Sequence, residues 1–366
     1  MLDLLWRRLR VQSLNKTFLS LVRLGIGHRA EALSGLVNWN EVQALAERQG
    51  LAAVLVDGIE QLPDSLRPPK ELLLQWIGEC LQSYEYRYEL YRRAIADLAK
   101  FYGEHGIKMM VLKGFACSLD WPKPEHRPCG DIDIWQFGEQ KEADLILSKE
   151  TGLNIDDSHE HHTIFDWQGF TVENHYDFID VHHRKSSPEL EKIFKELGSD
   201  DSVFKDVNDE KVYLPSPNLH ALFLLRHMME HFASTELTLR QLLDWAFFVK
   251  KHGKDVDWKW LERILDEFGM TPAYNIFNAI CVEDIGFDAL SFPKREVDTA
   301  LKERVLHEIL QPEFAEIQPS GLIPRIVFKF RRWKANGWKN ELCFKESMWS
   351  AFWSGVWGHI LKPNQI

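Results

Sequence analysis

The sequence predicts an α+β protein in which a small mixed-sheet core is flanked by N-terminal and C-terminal helical modules. Three observations predict it. Apolar residues recur at three- and four-residue spacing up to about residue 106 and again after about residue 217, the period of amphipathic helices. Short runs rich in β-branched and aromatic residues gather between those limits. The chain also lacks a fixed-period repeat and a low-complexity stretch, so neither a solenoid nor a disordered chain is indicated. The implied modules are 1–106 (helical), 107–217 (the α/β core), 218–290 (helical, closing the site) and 291–366 (a basic, Trp-rich helical tail).

Taken in order, "NEVQALAERQGLAAVLVDGIEQL" reads as a helix started by Asn38 or Asn40, because an Asn side chain accepts from the free amides of a first turn. "LPDSLRPPK" is a loop, and "KELLLQWIGECLQSYEYRYELYRRAIADLAKFYGEHG" is a long helix. In the middle module "IKMMVL", "DIDIWQF", "HTIFDW" and "FTVENHYDF" read as strands, with "GEQKEADLILSKETG" a helix between the second and third. After "YLPSPN" come the helices "LHALFLLRHMMEHF", "TLRQLLDWAFFVKKHG" and "DWKWLERILDEFG".

Composition excludes several classes. The 366 residues are 45% hydrophobic and 27% charged, enough to bury a substantial core. Fourteen Trp and 22 Phe suit clefts or interfaces lined by rings, although a Trp-rich helical core is the simpler reading. Five cysteines without a C-x-x-C pair indicate neither a disulfide framework nor a zinc ribbon, and a reducing compartment follows. No apolar run approaches the roughly 18 to 20 residues of a membrane span. "MLDLLWRRLRVQSLNKTF" is not a signal peptide, so a cytoplasmic protein is expected. A net charge of −11 argues against loose binding to nucleic acid. The charge is uneven, however: from residue 320 eight Lys or Arg oppose only Glu341 and Glu346, among Trp333, Trp338, Trp349, Trp353 and Trp357. Such a tail suits RNA, a membrane surface or a protein partner, or simply a terminal helix packing its rings on the body.

The chemistry concentrates in "VLKGFACSLDWPKPEHRPCGDIDIWQF". Asp131 and Asp133 lie two apart on an expected strand, so their carboxylates share a face while Ile132, Ile134 and Trp135 pack away. Two such acids repel unless a cation neutralises them, and Mg²⁺ with oxygen ligands is the natural one. Two ions clamping attacking and leaving oxygens is phosphoryl-transfer chemistry. Lys113 and Gly114 form a turn where backbone and ammonium can meet phosphate, and Arg127 suits a fork on a triphosphate oxygen.

These residues, "LKG", then an arginine, then "DIDIW", resemble the uncharacterised nucleotidyltransferase family of the DNA-polymerase-β-like superfamily. Its pattern runs h-L-K-G, a Tyr- or Trp-Pro step, R and D-h-D-h, and Trp121-Pro122 supplies the step. That family's V-E-x-H strand is matched by Glu173 and His175 of "TVENHYDF", and its H…H…R-x-L-L-D helix by His227, His231, Arg240 and Asp244. The likeness spans about residues 35 to 270. It implies transfer of a nucleoside monophosphate from a nucleoside triphosphate such as ATP to an acceptor hydroxyl of a protein, a small molecule or RNA. Asp131, Asp133 and Glu173 would hold two Mg²⁺ (Mn²⁺ being an alternative), and Glu173 would take the acceptor's proton. Lys113, Gly114, Arg127 and Arg240 would hold the triphosphate. The superfamily's Gly-Ser turn is replaced by Lys113-Gly114-Phe115, so no serine grips phosphate. Asp180 of "FIDVHH" competes with Glu173 as third carboxylate.

Two rival readings belong to other classes. "HMMEH" fits H-x-x-E-H, with His227 and His231 on one helical face beside Glu230, as zinc inverzincin peptidases require. The sequence offers no third ligand, so a polar helical face closing over the catalytic strands is expected, without zinc. "HEHH" (His159, His161, His162) reads as a solvated loop. A non-catalytic binding module is opposed by the three acids, which cost stability without use. Further expectations are that Asp131, Asp133 and Glu173 converge in one cleft, that Asp131→Asn and Asp133→Asn leave the fold intact or more stable, and that Arg240 pairs with Asp244 one turn away.

Overall fold

The computed structural model describes residues 2–30, 33, 37–182, 184–293, 296–314 and 319–344. Helix α1 (Leu2–Gly25) precedes α2 (Trp39–Arg48), which Asn38 caps by accepting from the Glu41 amide at 3.4 Å. The helix expected to run on through "RQGLAA" is instead two helices. Gly50 takes a left-handed φ of 66°, and α3 (Ala52–Glu60) starts afresh. The long helix beyond the loop is α4 (Lys70–Cys80) and α5 (Arg87–Glu104), joined through a π-helical turn at Leu81–Tyr86.

The middle of the chain supplies β1 (Met110–Val111), α6 (Phe115–Ser118), β2 (Ile132–Trp135), α7 (Gln140–Thr151), β3 (His162–Trp167), β4 (Phe170–His175), α8 (Ser187–Leu197), β5 (Phe204–Val207) and β6 (Glu210–Tyr213). They form a six-stranded mixed sheet in the order β3-β4-β2-β1-β6-β5. β2 runs parallel to β4 and antiparallel to β1, while β1 is parallel to β6. The β5–β6 hairpin was not expected from the sequence. Its turn residues Asn208 and Asp209 both have positive φ, 50° and 68°, the geometry of a tight two-residue hairpin turn. Asn-Asp carries that signal more weakly than Asn-Gly.

Helices α9 (Pro217–Ser234), α10 (Leu239–His252), α11 (Trp258–Glu267), α12 (Thr271–Ala279), α13 (Thr299–Leu310), α14 (Leu322–Ala335) and α15 (Gly337–Cys343) follow. α10 opens with a reciprocal capping box between Thr238 and Gln241.

Two apolar clusters cover the two sheet faces. Ile132, Ile134, Val111 and Val172 pack with α5 and α7 residues such as Tyr91, Tyr102 and Leu147. The opposite face, with Trp135 and Phe178, joins a large cluster that runs from Phe18 to Phe344 and includes α9 and α10. Trp135 therefore shares the face of Asp133 instead of packing away from it, as a strand's two-residue period requires. The buried Trp76, Trp121, Trp135 and Trp245 bear out the Trp-rich core. In the tail Arg325, Lys329, Arg331 and Lys334 are exposed on α14, and Trp338 packs edge-on against Phe232. Trp349, Trp353, Trp357, Lys345 and Lys362 lie outside the described residues. Among the described residues no helix is long and apolar enough to cross a membrane.

Candidate active site

Parallel pairing of β2 with β4 puts Asp133 beside Glu173 and Trp135 beside His175 in register. Antiparallel β3 adds Ile164 beside Glu173 and His162 beside His175. Asp133, Glu173, His175 and His162 therefore stand on one face, the face under α9. Asp131 lies one residue before β2 and is exposed, unlike Asp133, which is 1% exposed.

The buried Asp133 charge has two partners. Lys113, which follows β1, puts Nζ 2.6 Å from Oδ1, and His175 Nε2 lies 3.2 Å from the same oxygen. Burial alone would raise the Asp133 carboxyl, but Lys113 and His175 outweigh it and hold it well below the usual carboxylate range. The Lys113 ammonium, which burial would lower, is raised by Asp133, Asp131 and Glu173. Glu173 goes the other way: burial first, then the Asp133 charge, push it up to about 8. Two adjacent carboxyls with such divergent affinities for a proton are suited to different tasks.

The turn between β1 and α6 is built around Gly114, whose backbone adopts φ 52° and ψ −97°. A Cβ there would overlap the Tyr91 hydroxyl, which itself donates to the Asp131 carbonyl at 2.8 Å. Tyr91, a contributor from α5 with no signal in the local sequence, thus fixes both the Lys113-Gly114 turn and the approach to Asp131.

The expected pairing of Arg240 with Asp244 does not form. Asp244 is clasped by the loop before β2: Arg127 Nε and Nη2 donate to its two oxygens at 2.8 and 2.9 Å, and Trp121 Nε1 donates at 2.9 Å. The bidentate fit closes the Arg127 fork on Asp244, and the two residues are 7% and 4% exposed. This gives the Trp121-Pro122 step a physical reason, since the indole N–H helps pin α10 to the loop before β2. Arg240 is left with a buried Nε that has no hydrogen-bond partner among the described residues. Arg240 nevertheless contributes to the lining of the cavity beside Asp131 and Asp133.

Two cavities with shared bordering residues flank the acids. One of about 150 Å³ is lined by Lys113, Gly114, Arg127, Asp131, Asp133 and Arg240, among others. The other, of about 500 Å³, is lined by Asp131, Glu173, Asp180, Phe178, Phe223 and Glu230, among others. Lys113, Asp131, His227 and His231 border both. The expected face of α9 does close over the strands. Glu230 is held by Arg226 at 2.6 Å and approached by Arg184 at 3.5 Å, and no third ligand gathers at His227 and His231 among the described residues. Glu173, not Asp180, is the register partner of Asp133; Asp180 lies beyond β4 and accepts from the His182 amide at 2.7 Å. The solvated-loop reading of "HEHH" holds for His159 alone. His162 begins β3 at 8% exposure, and its ring lies 5.2 Å from that of His175 and 4.4 Å from that of His161.

The model of a family described as uncharacterised nucleotidyltransferase matches residues 36–283. No curated protein and no solved structure matches the chain.

Proposed function

Since the chain belongs to the uncharacterised nucleotidyltransferase family, we propose that it moves a nucleoside monophosphate from a nucleoside triphosphate to an acceptor hydroxyl at Asp131, Asp133 and Glu173, with Mg²⁺. The observation that carries this reading is the in-register pairing of Asp133 with Glu173 beside a cavity walled by Lys113, Arg127 and Arg240. Divalent cations fit these residues: the ligand atoms of Asp133, Glu173 and His175 lie within 4.8 Å of one another and combine two carboxylates with an imidazole. Bound there, Mg²⁺ would supply charge to the attacking and leaving oxygens.

The chain's own residues divide the remaining work by charge. The smaller cavity, with Lys113, Arg240 and the Asp244-held Arg127, suits the polyphosphate. The larger cavity, with Glu173, Asp180 and the rings of Phe178 and Phe223, suits the acceptor. In the reaction the acceptor oxygen attacks the α-phosphorus, the bond to the bridging oxygen breaks and pyrophosphate departs. Glu173, the carboxylate paired in register with Asp133 and bordering the larger cavity, takes the hydroxyl proton. Alignment and fixed positive charge provide most of the rate. The five cysteines are unpaired and four are buried, which fits the cytoplasm as location.

The test incubates the protein with each α-labelled triphosphate, Mg²⁺ and fractionated lysate. Label is expected on one acceptor fraction or on the protein itself, and is lost in Glu173→Gln. Equal labelling by that variant overturns the assignment.

A further inference from the structure

His175 is 2% exposed and both of its ring nitrogens face acceptors. Nδ1 lies 3.2 Å from the Asp177 carbonyl oxygen. Nε2 lies 3.2 Å from Asp133 Oδ1 and 3.8 Å from Glu173 Oε2. With Nδ1 set against the Asp177 carbonyl, Nε2 points between oxygens of two carboxylates. Metal-binding histidines have this arrangement: one nitrogen donates to a backbone carbonyl, which fixes the tautomer, and the other faces the ion.

We infer that His175 is a metal ligand, and that the Asp133–Glu173–His175 set takes Mn²⁺ in preference to Mg²⁺. This rests on the transfer reading above and extends it from carboxylates to a mixed set. The separations of 3.2 and 3.8 Å fall below roughly 4.2 Å, twice a metal–ligand distance of about 2.1 Å, so an ion can touch His175 together with either carboxylate, and the ligand atoms of all three lie within 4.8 Å of one another. Mg²⁺ favours oxygen and gives up water reluctantly, whereas an imidazole ligand shifts preference toward transition ions. Lys113 sits 2.6 Å from the same Asp133 oxygen and serves as its counter-ion in the metal-free chain. With a divalent ion bound, that ammonium, which borders both cavities, becomes available to phosphate.

The experiment titrates the full chain with Mn²⁺, following free Mn²⁺ by electron paramagnetic resonance, and examines bound Mn²⁺ by pulsed methods with natural-abundance and ¹⁵N-histidine protein. A directly bonded nitrogen coupling that changes on ¹⁵N-histidine labelling is expected. His175→Gln should lose the coupling and bind Mn²⁺ at least about tenfold more weakly. Mg²⁺ should displace Mn²⁺ only in large excess. Bound Mn²⁺ without nitrogen coupling, or competition by equimolar Mg²⁺, overturns the inference. So does coupling that persists in His175→Gln and vanishes when His161 and His162 are both changed to Gln. The wild-type labelling and that double variant decide the matter even if His175→Gln fails to fold. Transfer with Mg²⁺ but no nitrogen coupling would sink this inference and leave the transfer reading standing; nitrogen coupling without transfer under either ion would do the reverse.

Discussion

Asp133 shows how a residue's type can be legible while its energetics are not. The D-x-D spacing placed an acid on the working face, but the expectation that neutralising it relieves repulsion is reversed by Lys113 and His175. Asp133→Asn should now destabilise the metal-free protein by about 3 to 5 kcal/mol, the cost of leaving a buried charge unpaired, as read by urea unfolding. Exposed Asp131→Asn should change stability by no more than about 0.5 kcal/mol. A second buried pair gives a pH dependence. His126 Nδ1 donates to Asp57 at 2.6 Å and Nε2 lies 3.3 Å from Glu85; burial would lower its affinity for a proton, but Asp57 and Glu85 raise it above the ordinary value of 6.5. The sign follows from the raised folded value. The pair's stabilisation is fully present below 6.5 and fades as pH rises through the folded value. His126→Gln should flatten that part of the stability–pH curve, and an unchanged slope would contradict the assignment. No local pattern announces Asp57, because the contact joins residues 69 apart in sequence.

At the scale of elements, periodicity located the long helices and the four strands that form the site, since a two- or 3.6-residue apolar repeat is a local property. It missed what depends on one backbone angle or one distant partner. Gly50 divided a helix, and Asn208-Asp209 made an unexpected hairpin. The exchange of partners at α10 is functionally the most informative difference. Helical spacing offered Arg240 to Asp244, yet Arg127 provides a bidentate fork from the loop. Arg127→Lys should therefore lower the melting temperature as well as activity, because a single ammonium cannot replace both bonds. Arg240→Lys should reduce transfer strongly with little change in melting temperature. Near-normal turnover in Arg240→Lys would show that its guanidinium does not serve the substrate. Gly114→Ala should cost about 1 to 3 kcal/mol through positive-φ strain and the clash with Tyr91. Adding Tyr91→Phe should recover part of that cost in a double-mutant cycle, whereas strict additivity would show that the hydroxyl is not the obstacle.

At the scale of the molecule, the expected modules share one apolar core. Residues from α1, α3, α9, α10, α12 and α13 and the closing Phe344 belong to a single cluster. Gln49 ties three of these parts together, donating to the Ile309 carbonyl at 2.9 Å and accepting from the Leu239 amide at 2.7 Å. Gln49→Ala should cost about 1 to 3 kcal/mol by orphaning buried backbone groups. Calorimetry should show one cooperative transition in which the α/β core and the helices melt together. The α+β class and the Asp131/Asp133 pair were readable because strand alternation and spacing are written locally, whereas Glu173 was reached through the family resemblance. How the cavity walls assemble was not readable, because Lys113, Arg127 and Arg240, each named from the sequence, line one cavity only after the sheet and α10 come together. The central claim is that these walls hold a triphosphate for attack at its α-phosphorus. The most direct measurement compares α- and γ-labelled triphosphate in parallel reactions with the wild type and Asp133→Asn. The account predicts that α-label enters the acceptor, γ-label leaves in pyrophosphate, and the variant does neither. γ-label on the acceptor, or transfer by Asp133→Asn at the wild-type rate, would contradict it.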